Sequence, residues 1–197
     1  VQLDMAGVAE ALPMVALAIA LAACAGLRAW LPLLLAGLLA RFDLLSLGPS
    51  FDFLGSNKAL VLFGVATLVE VVGDKIPAVD HALDMIGTPL RPAAGALLAA
   101  SVFGQVSDPL TALVLGTVVG APAALVPHAA KSALRGVSTV FTAGIANPLI
   151  SFLEDAATIL LFALAVLVPV VVVAFLAVAV YWIAKRALRP GTAAHPA

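Results

Sequence analysis

The stretch Val69-Glu70-Val71-Val72-Gly73-Asp74-Lys75-Ile76-Pro77-Ala78-Val79-Asp80 sets three acids and a lysine directly against an apolar run, Ala59 to Gly73, long enough to lie in lipid. An ionisable side chain at membrane depth costs a few kcal/mol or more, so it marks a polar cavity, an ion path or a buried pair. Glu70 and Asp74 are four apart and share a face if the helix continues. Asp80 and Asp84 repeat that spacing, with His81 beside them. One account is a carboxylate cluster for a proton or a hard cation, since oxygen ligands suit calcium, magnesium or manganese. The other has Lys75 neutralising Asp74 at a helix end, with Asp80 to Asp84 on a solvated interfacial helix. Glu70, deepest in its apolar run, favours the first; Asp80, His81 and Asp84 favour the second.

Composition extends this to the whole chain. Hydrophobic residues are 63% of the 197 and charged residues 11%, with a mean hydropathy of +1.18. Soluble domains run nearer half apolar and about a quarter charged. The expected class is an integral membrane protein with the lipid bilayer as its main partner. A net charge of −1 without a basic block leaves no expectation of nucleic acid. Cys24 is the only cysteine, so no intrachain disulfide can form. Asp4 and Glu10 precede the first apolar run with no Lys or Arg, the wrong sign for a cleaved signal peptide, so that run is expected to remain as a helix. Tyr181-Trp182 followed by Lys185, Arg186 and Arg189 form an aromatic belt and a basic flank. The positive-inside rule then places the C-terminus in the cytoplasm and leaves the N-terminal side open.

The expected fold is all-α, one transmembrane domain over 1–197 with about six or seven membrane segments, several of them broken or re-entrant. Ala6 to Ala25 is long enough to span, and Ala29 to Ala40 continues it after Arg28. Arg41 to Lys58 is a polar connection whose Phe42, Phe51 and Phe53 suit the interface. Ala59 to Gly73, a polar segment Asp74 to Pro89, and Leu90 to Gly104 follow. Asp108-Pro109 reads as an N-cap with proline at the first helical position, opening a helix to about Val126. Ser132 to Ala146 comes next, then Phe152 to Ala187, which would be about 50 Å long against a hydrocarbon core of about 30 Å. It must tilt, kink at Pro169 or project.

Two further patterns concern assembly. Ala22-Ala23, Leu27-Arg28 and Ala36-Gly37 recur in register as Ala129-Ala130, Leu134-Arg135 and Ala143-Gly144, defining repeat halves 5–106 and 109–190. Small transporters are often built from such repeats, inverted or parallel. Gly116-Thr117-Val118-Val119-Gly120 is a GxxxG, and Ala93 to Ser101 is rich in small residues. Both allow close helix contact, within the chain or in a homo-oligomer.

Asn147 to Asp155 is the second acidic stretch. Ser151-x-x-Glu154 matches a capping box, which needs no further purpose. A helix start bearing Glu154 and Asp155 after a broken helix is also how transporters build ion sites. Arg28 and Arg135 are the natural charge partners for buried acids. Lys131 and His128 either join them or snorkel to the interface. Zinc-protease, nucleophile-elbow and P-loop motifs are absent, so no catalysis and no cofactor are expected, and no metal is specified. The leading expectation is a small transporter or channel with Glu70, Asp74, Asp80, Glu154 and Asp155 as proton or cation carboxylates and Arg28, Lys75 and Arg135 as partners. The alternatives are a noncatalytic component of a larger membrane complex, or a lipid-handling protein whose arginines hold a headgroup.

Gly26-Leu27-Arg28 with Pro32, Glu70 with Asp74-Lys75-Ile76-Pro77 and Asp80, Thr88-Pro89-Leu90-Arg91-Pro92 with Gly95, and Ala146-Asn147-Pro148 with Ser151 and Glu154-Asp155 together resemble the bacterial membrane-protein family catalogued as domain of unknown function 4126. The resemblance covers nearly the whole chain. It implies a multi-spanning inner-membrane protein and no established activity. Glu70 to Lys75 is also faintly similar to Golgi-type cation/proton exchangers, which carry Glu-x-Gly-Asp, a basic residue and a hydroxyl residue in inverted repeats. Here one extra residue precedes Gly73, turning Glu70 by about 100° on a helix. Ile76 replaces the hydroxyl, and Leu153-Glu154-Asp155 lacks the glycine.

Overall fold

The computed structural model describes residues 5–187, with side chains from 11 onward except 77, 78, 80–82, 84, 170, 183 and 187. Among the described residues the chain is helical throughout, without strands. At its centre stands α1 (Met5–Leu27), whose Ala18, Ala20, Leu21, Ala22 and Ala25 are wholly buried. Alanines give it a narrow profile. That lets α4 (Pro77–Phe103), α6 (Ala121–Thr142), α7 (Asn147–Leu167) and α8 (Pro169–Ala187) pack against it on several sides.

After Leu27 the helix breaks, and α2 (Trp30–Arg41) begins with Pro32 in its first turn, where a missing N–H costs least. The connection to α3 (Asn57–Gly73) contains a 3₁₀ segment, Pro49–Gly55, and ends at Ser56, whose Oγ accepts the Ala59 N–H at 3.2 Å. Phe42 and Phe53 are exposed there, but Phe51 is buried rather than interfacial, because Gly48 N–H donates to Ser101 O at 2.7 Å and docks the segment on α4.

Two of the expected interruptions are shortened or absent, and the one at Pro169 is present. The segment Asp74 to Pro89 is mostly helical: α4 starts at Pro77 and runs through Pro89 and Pro92. No helix ends at Val126 and none begins at Ser132. Instead α5 (Pro109–Leu115) passes through a π turn, Gly116–Gly120, into α6, giving 34 continuous residues. Helices in lipid tolerate proline because neighbouring helices and local π adjustments can satisfy the freed carbonyls. The break at Pro169 is present, with Val168 moved out of the helical region to φ −144°, as a residue before proline tends to be.

Asp108 caps α5, its Oδ1 accepting the Leu110 and Thr111 N–H groups at 3.1 Å each. The Thr111 hydroxyl and N–H, with the Leu110 N–H, hold this exposed carboxyl below its ordinary range. A depressed carboxylate stabilises the fold above its unfolded pKa of about 3.9 and ceases to do so as pH falls through the lower folded value. Asp108→Ala should therefore lower the unfolding midpoint at neutral pH, and the difference from the parent should close in strong acid.

The packing of small residues is intrachain. A Cβ on Gly26 would lie 2.1 Å from Ala124 O, and one on Gly120 would lie 2.4 Å from Gly95 O. The GxxxG thus seats on the small-residue face of α4. Outside, Val140, Phe141 and Ile145 are more than 80% exposed, while inside Arg28, Asp74 and Arg91 are at most 1% exposed. Water would not sustain that inversion; lipid does. Met85–Phe103, Pro109–Thr142 and Asn147–Leu167 are long and apolar enough to cross a bilayer, and Pro49–Gly55 with Asn57–Gly73, bent by 57°, has the form of a broken span or a re-entrant loop.

Candidate functional site

Where α1 breaks, Arg28 turns into the interior and meets two elements, α3 and α7. Its Nη1 donates to Asp74 Oδ2, at the C-terminal cap of α3. Its Nη2 donates to Ser151 Oγ at 2.9 Å and lies 2.7 Å from Asp155 Oδ1. Ser151 therefore does not cap α7. The helix begins four residues earlier, at Asn147, so Ser151 stands within its first turns and serves Arg28 instead.

Asp74 Oδ2 is also reached from α6, by Arg135 Nη2 at 3.1 Å and Lys131 Nζ at 3.4 Å. The same two cations hold Glu154. Arg135 grips it with two N–H groups, Nε to Oε1 at 3.1 Å and Nη2 to Oε2 at 2.7 Å, while Lys131 Nζ lies 3.0 Å from Oε2. Lys131 and Arg135 are four apart and so share one helix face. Each bridges the same two carboxylates. Lys75 does not neutralise its neighbour Asp74. It donates to Asp155 Oδ2 at 3.1 Å and Val71 O at 2.8 Å, under the face of Phe152.

Glu70 lies beside this group in a setting of its own. It is 6% exposed and accepts the Ala29 and Trp30 N–H groups at 3.1 and 3.3 Å, capping the start of α2. A carboxylate there satisfies free backbone donors and meets the positive end of the helix dipole. Arg91 Nη2 stands 3.8 Å from it, and Arg91 Nη1 lies 3.1 Å from His128 Nδ1. A guanidinium only donates, so Nδ1 accepts.

Of the residues expected from sequence, Arg28, Asp74, Lys75, Arg135, Glu154 and Asp155 meet in one network, with Glu70 adjoining it through the Arg28–Trp30 break. The side chains of Asp80, His81 and Asp84 lie outside the described residues, as does Arg189. Arg28 stands at a helix break, whereas Arg135 lies within α6. Arg91 is a site residue that the sequence expectation misses, although an arginine within three residues of the Ala93 to Ala100 apolar face carries the same signal as Glu70. Lys131 and His128 are buried in the network rather than snorkelling.

Glu70, Asp74, Glu154 and Asp155 each face the protein's own cations, and among the described residues no group of three His, Cys, Asp or Glu forms a metal cage. Burying such charges is costly unless they are paired and hydrogen-bonded. The network meets that condition by sharing, because Lys131 and Arg135 have two acceptors within reach.

An apolar exterior around a buried acid–base network, carried on helices of membrane-spanning length, is the construction of a multi-helix membrane protein. The chain belongs to the family described as Domain of unknown function (DUF4126), whose model matches residues 15–189. No curated protein and no solved structure matches it, so the exchanger-like spacing of Glu70 to Lys75 stands on the motif alone.

Proposed function

We propose that the chain is a small transporter or channel of the bacterial inner membrane, in which Asp74 and Glu154 exchange a proton through the cations they share. The observation that supports this is the double reach of Lys131 and Arg135. A proton arriving on either carboxylate removes its negative charge and weakens its hold on both cations in favour of the other, so α3 and α7 change their grip on α6. Such a shared set is a bistable element that a proton can bias. Glu70, bound to two backbone N–H groups, has the simpler role of fixing α2.

In proteoliposomes under an imposed pH gradient, an entrapped pH dye should report proton movement for the parent and none for Glu154→Gln, which keeps the shape but releases no proton. Glu70→Gln should retain flux and lose about 1 kcal/mol of stability, one N–H of α2 then facing an amide NH₂. Flux from Glu154→Gln equal to the parent at every pH would remove the proposal. Asp74, whose Oδ2 is met by three cations, supports the second reading, a noncatalytic component of a membrane assembly held together by buried charge. Absence of flux in the parent would favour it.

The orientation carries its own test. Lys185 and Arg186 are exposed beyond Tyr181 and Trp182, a basic flank that faces the cytoplasm under the positive-inside rule. A reporter that works only in the periplasm should be silent when fused after Ala197.

A further inference from the structure

We infer that water enters the protein between α2, α3 and α4, and that Glu70 and Thr67 hold it beside the ion network. A cavity of about 270 Å³ lies between these helices, walled by Trp30, Leu83, Ile86 and Leu90 among others, and the Glu70 side chain forms part of its wall. One water needs about 10–15 Å³ of such room, so the cavity admits several. Glu70 has acceptor sites left for them. A carboxylate offers about four lone-pair sites, and the Ala29 and Trp30 N–H groups take one on each oxygen. Arg91 Nη2 balances the charge from 3.8 Å, beyond hydrogen-bond distance. Water asks for no unpaired charge, only for donors and acceptors, whereas an acyl chain in the cavity would leave the open face of the carboxylate unsatisfied.

A second observation lies one turn back on the same face of α3. Thr67 is buried, and its hydroxyl has no hydrogen-bond partner in the protein. Thr117, Thr139, Thr142 and Thr158 each donate to the carbonyl four residues earlier, at 2.7–2.9 Å. Thr67 does not bond back in this way. A buried hydroxyl without a partner is costly, and water shared with Glu70 supplies one. One turn further on, Asp74 keeps Oδ1 buried and without a donor while its Oδ2 takes three cations. Thr67, Glu70 and Asp74 thus form a polar line about 10 Å long, at 1.5 Å per residue, that leads past the cavity to the network. The rim suits water as well. Val69 and Ile86 are exposed there, α3 ends at Gly73, and the apolar span on α4 starts at Met85, so the cavity lies near the edge of the hydrocarbon.

The inference rests on the proposed proton exchange for its purpose, since a proton must reach Asp74 from water, but its test reads water without flux, so the two can fail separately. The full-length protein in liposomes is treated with a small cationic methanethiosulfonate, which reacts with thiolates and so reports water at a cysteine. Ala66→Cys, on the cavity wall, should be modified at least tenfold faster than Leu68→Cys, which is exposed on the outer side of α3, with the buried Cys24 of the parent giving the background. Thr67→Val keeps the shape and removes the hydroxyl. It should slow modification of Ala66→Cys several-fold and lower the unfolding midpoint, and Thr67→Ser, which keeps the hydroxyl, should restore the rate. Equal modification at positions 66 and 68 would overturn the proposal. So would an unchanged or raised midpoint in Thr67→Val, the result expected when an unpaired hydroxyl is removed from a dry wall.

Discussion

Asp74→Ala should yield little or no folded protein. One oxygen of this carboxylate is shared by Arg28, Lys131 and Arg135, and the side chain is fully buried. Removing it leaves three buried cations competing for Glu154 and Asp155. Breaking one buried pair costs about 3–5 kcal/mol, against a total stability of about 5–15 kcal/mol for a typical domain. Three cations deprived of their shared acceptor consume much of that margin. The check is recovery of monodisperse protein after size exclusion, with the unfolding midpoint in denaturing detergent for whatever survives. A variant recovered in parental yield with an unchanged midpoint would mean that the cations find other partners and that Asp74 is not the centre of the network.

Gly26→Val should be comparably damaging for a reason that involves no charge. Its Cβ would fall 2.1 Å from the carbonyl oxygen of Ala124 and 2.9 Å from the carbonyl carbon, both backbone atoms of a packed helix. No rotamer relieves that contact, so α1 and α6 must separate. Overpacking of this kind costs about 1–3 kcal/mol and sometimes more. Separation would also pull Arg28 away from Arg135 and Lys131, which lie just beyond. Gly136 on α6 is the internal control, since a Cβ there meets nothing within 4 Å. Gly136→Ala should be neutral or stabilising by up to about 1 kcal/mol through helix propensity. Equal melting of the Gly26 and Gly136 variants would contradict the close approach.

What the sequence made legible follows from how local each cause is. The Asp108-Pro109 start and the Pro169 break depend on one or two residues and their neighbours, and both are found. That Arg28 and Arg135 pair with buried acids was legible, because a charge in an apolar run must be paired wherever its partner lies, but that the two acidic stretches join in one network was not. Which acid meets which base was not legible. Lys75 adjoins Asp74 in the chain, yet the helix cap points them apart and Asp155 takes the lysine. Proline misled in the other direction. Pro89, Pro92 and Pro127 break helices in water, but α4 and α6 continue through them because the bundle supplies what the backbone loses. Ser151-x-x-Glu154 had the spacing of a cap, and only the position of Arg28 shows why those two side chains turn inward.

The central claim is that buried acid–base pairing ties α6 to α7 and α3 at the α1 break. A double-mutant cycle on Arg135 and Glu154, using Arg135→Met, Glu154→Met and the double substitution, measures it most directly. Unfolding in denaturing detergent should show each single variant strongly destabilised and the double variant less so than the sum, with a coupling of about 1–3 kcal/mol. Additive losses would contradict the account, leaving the two side chains as neighbours without a shared energetic role.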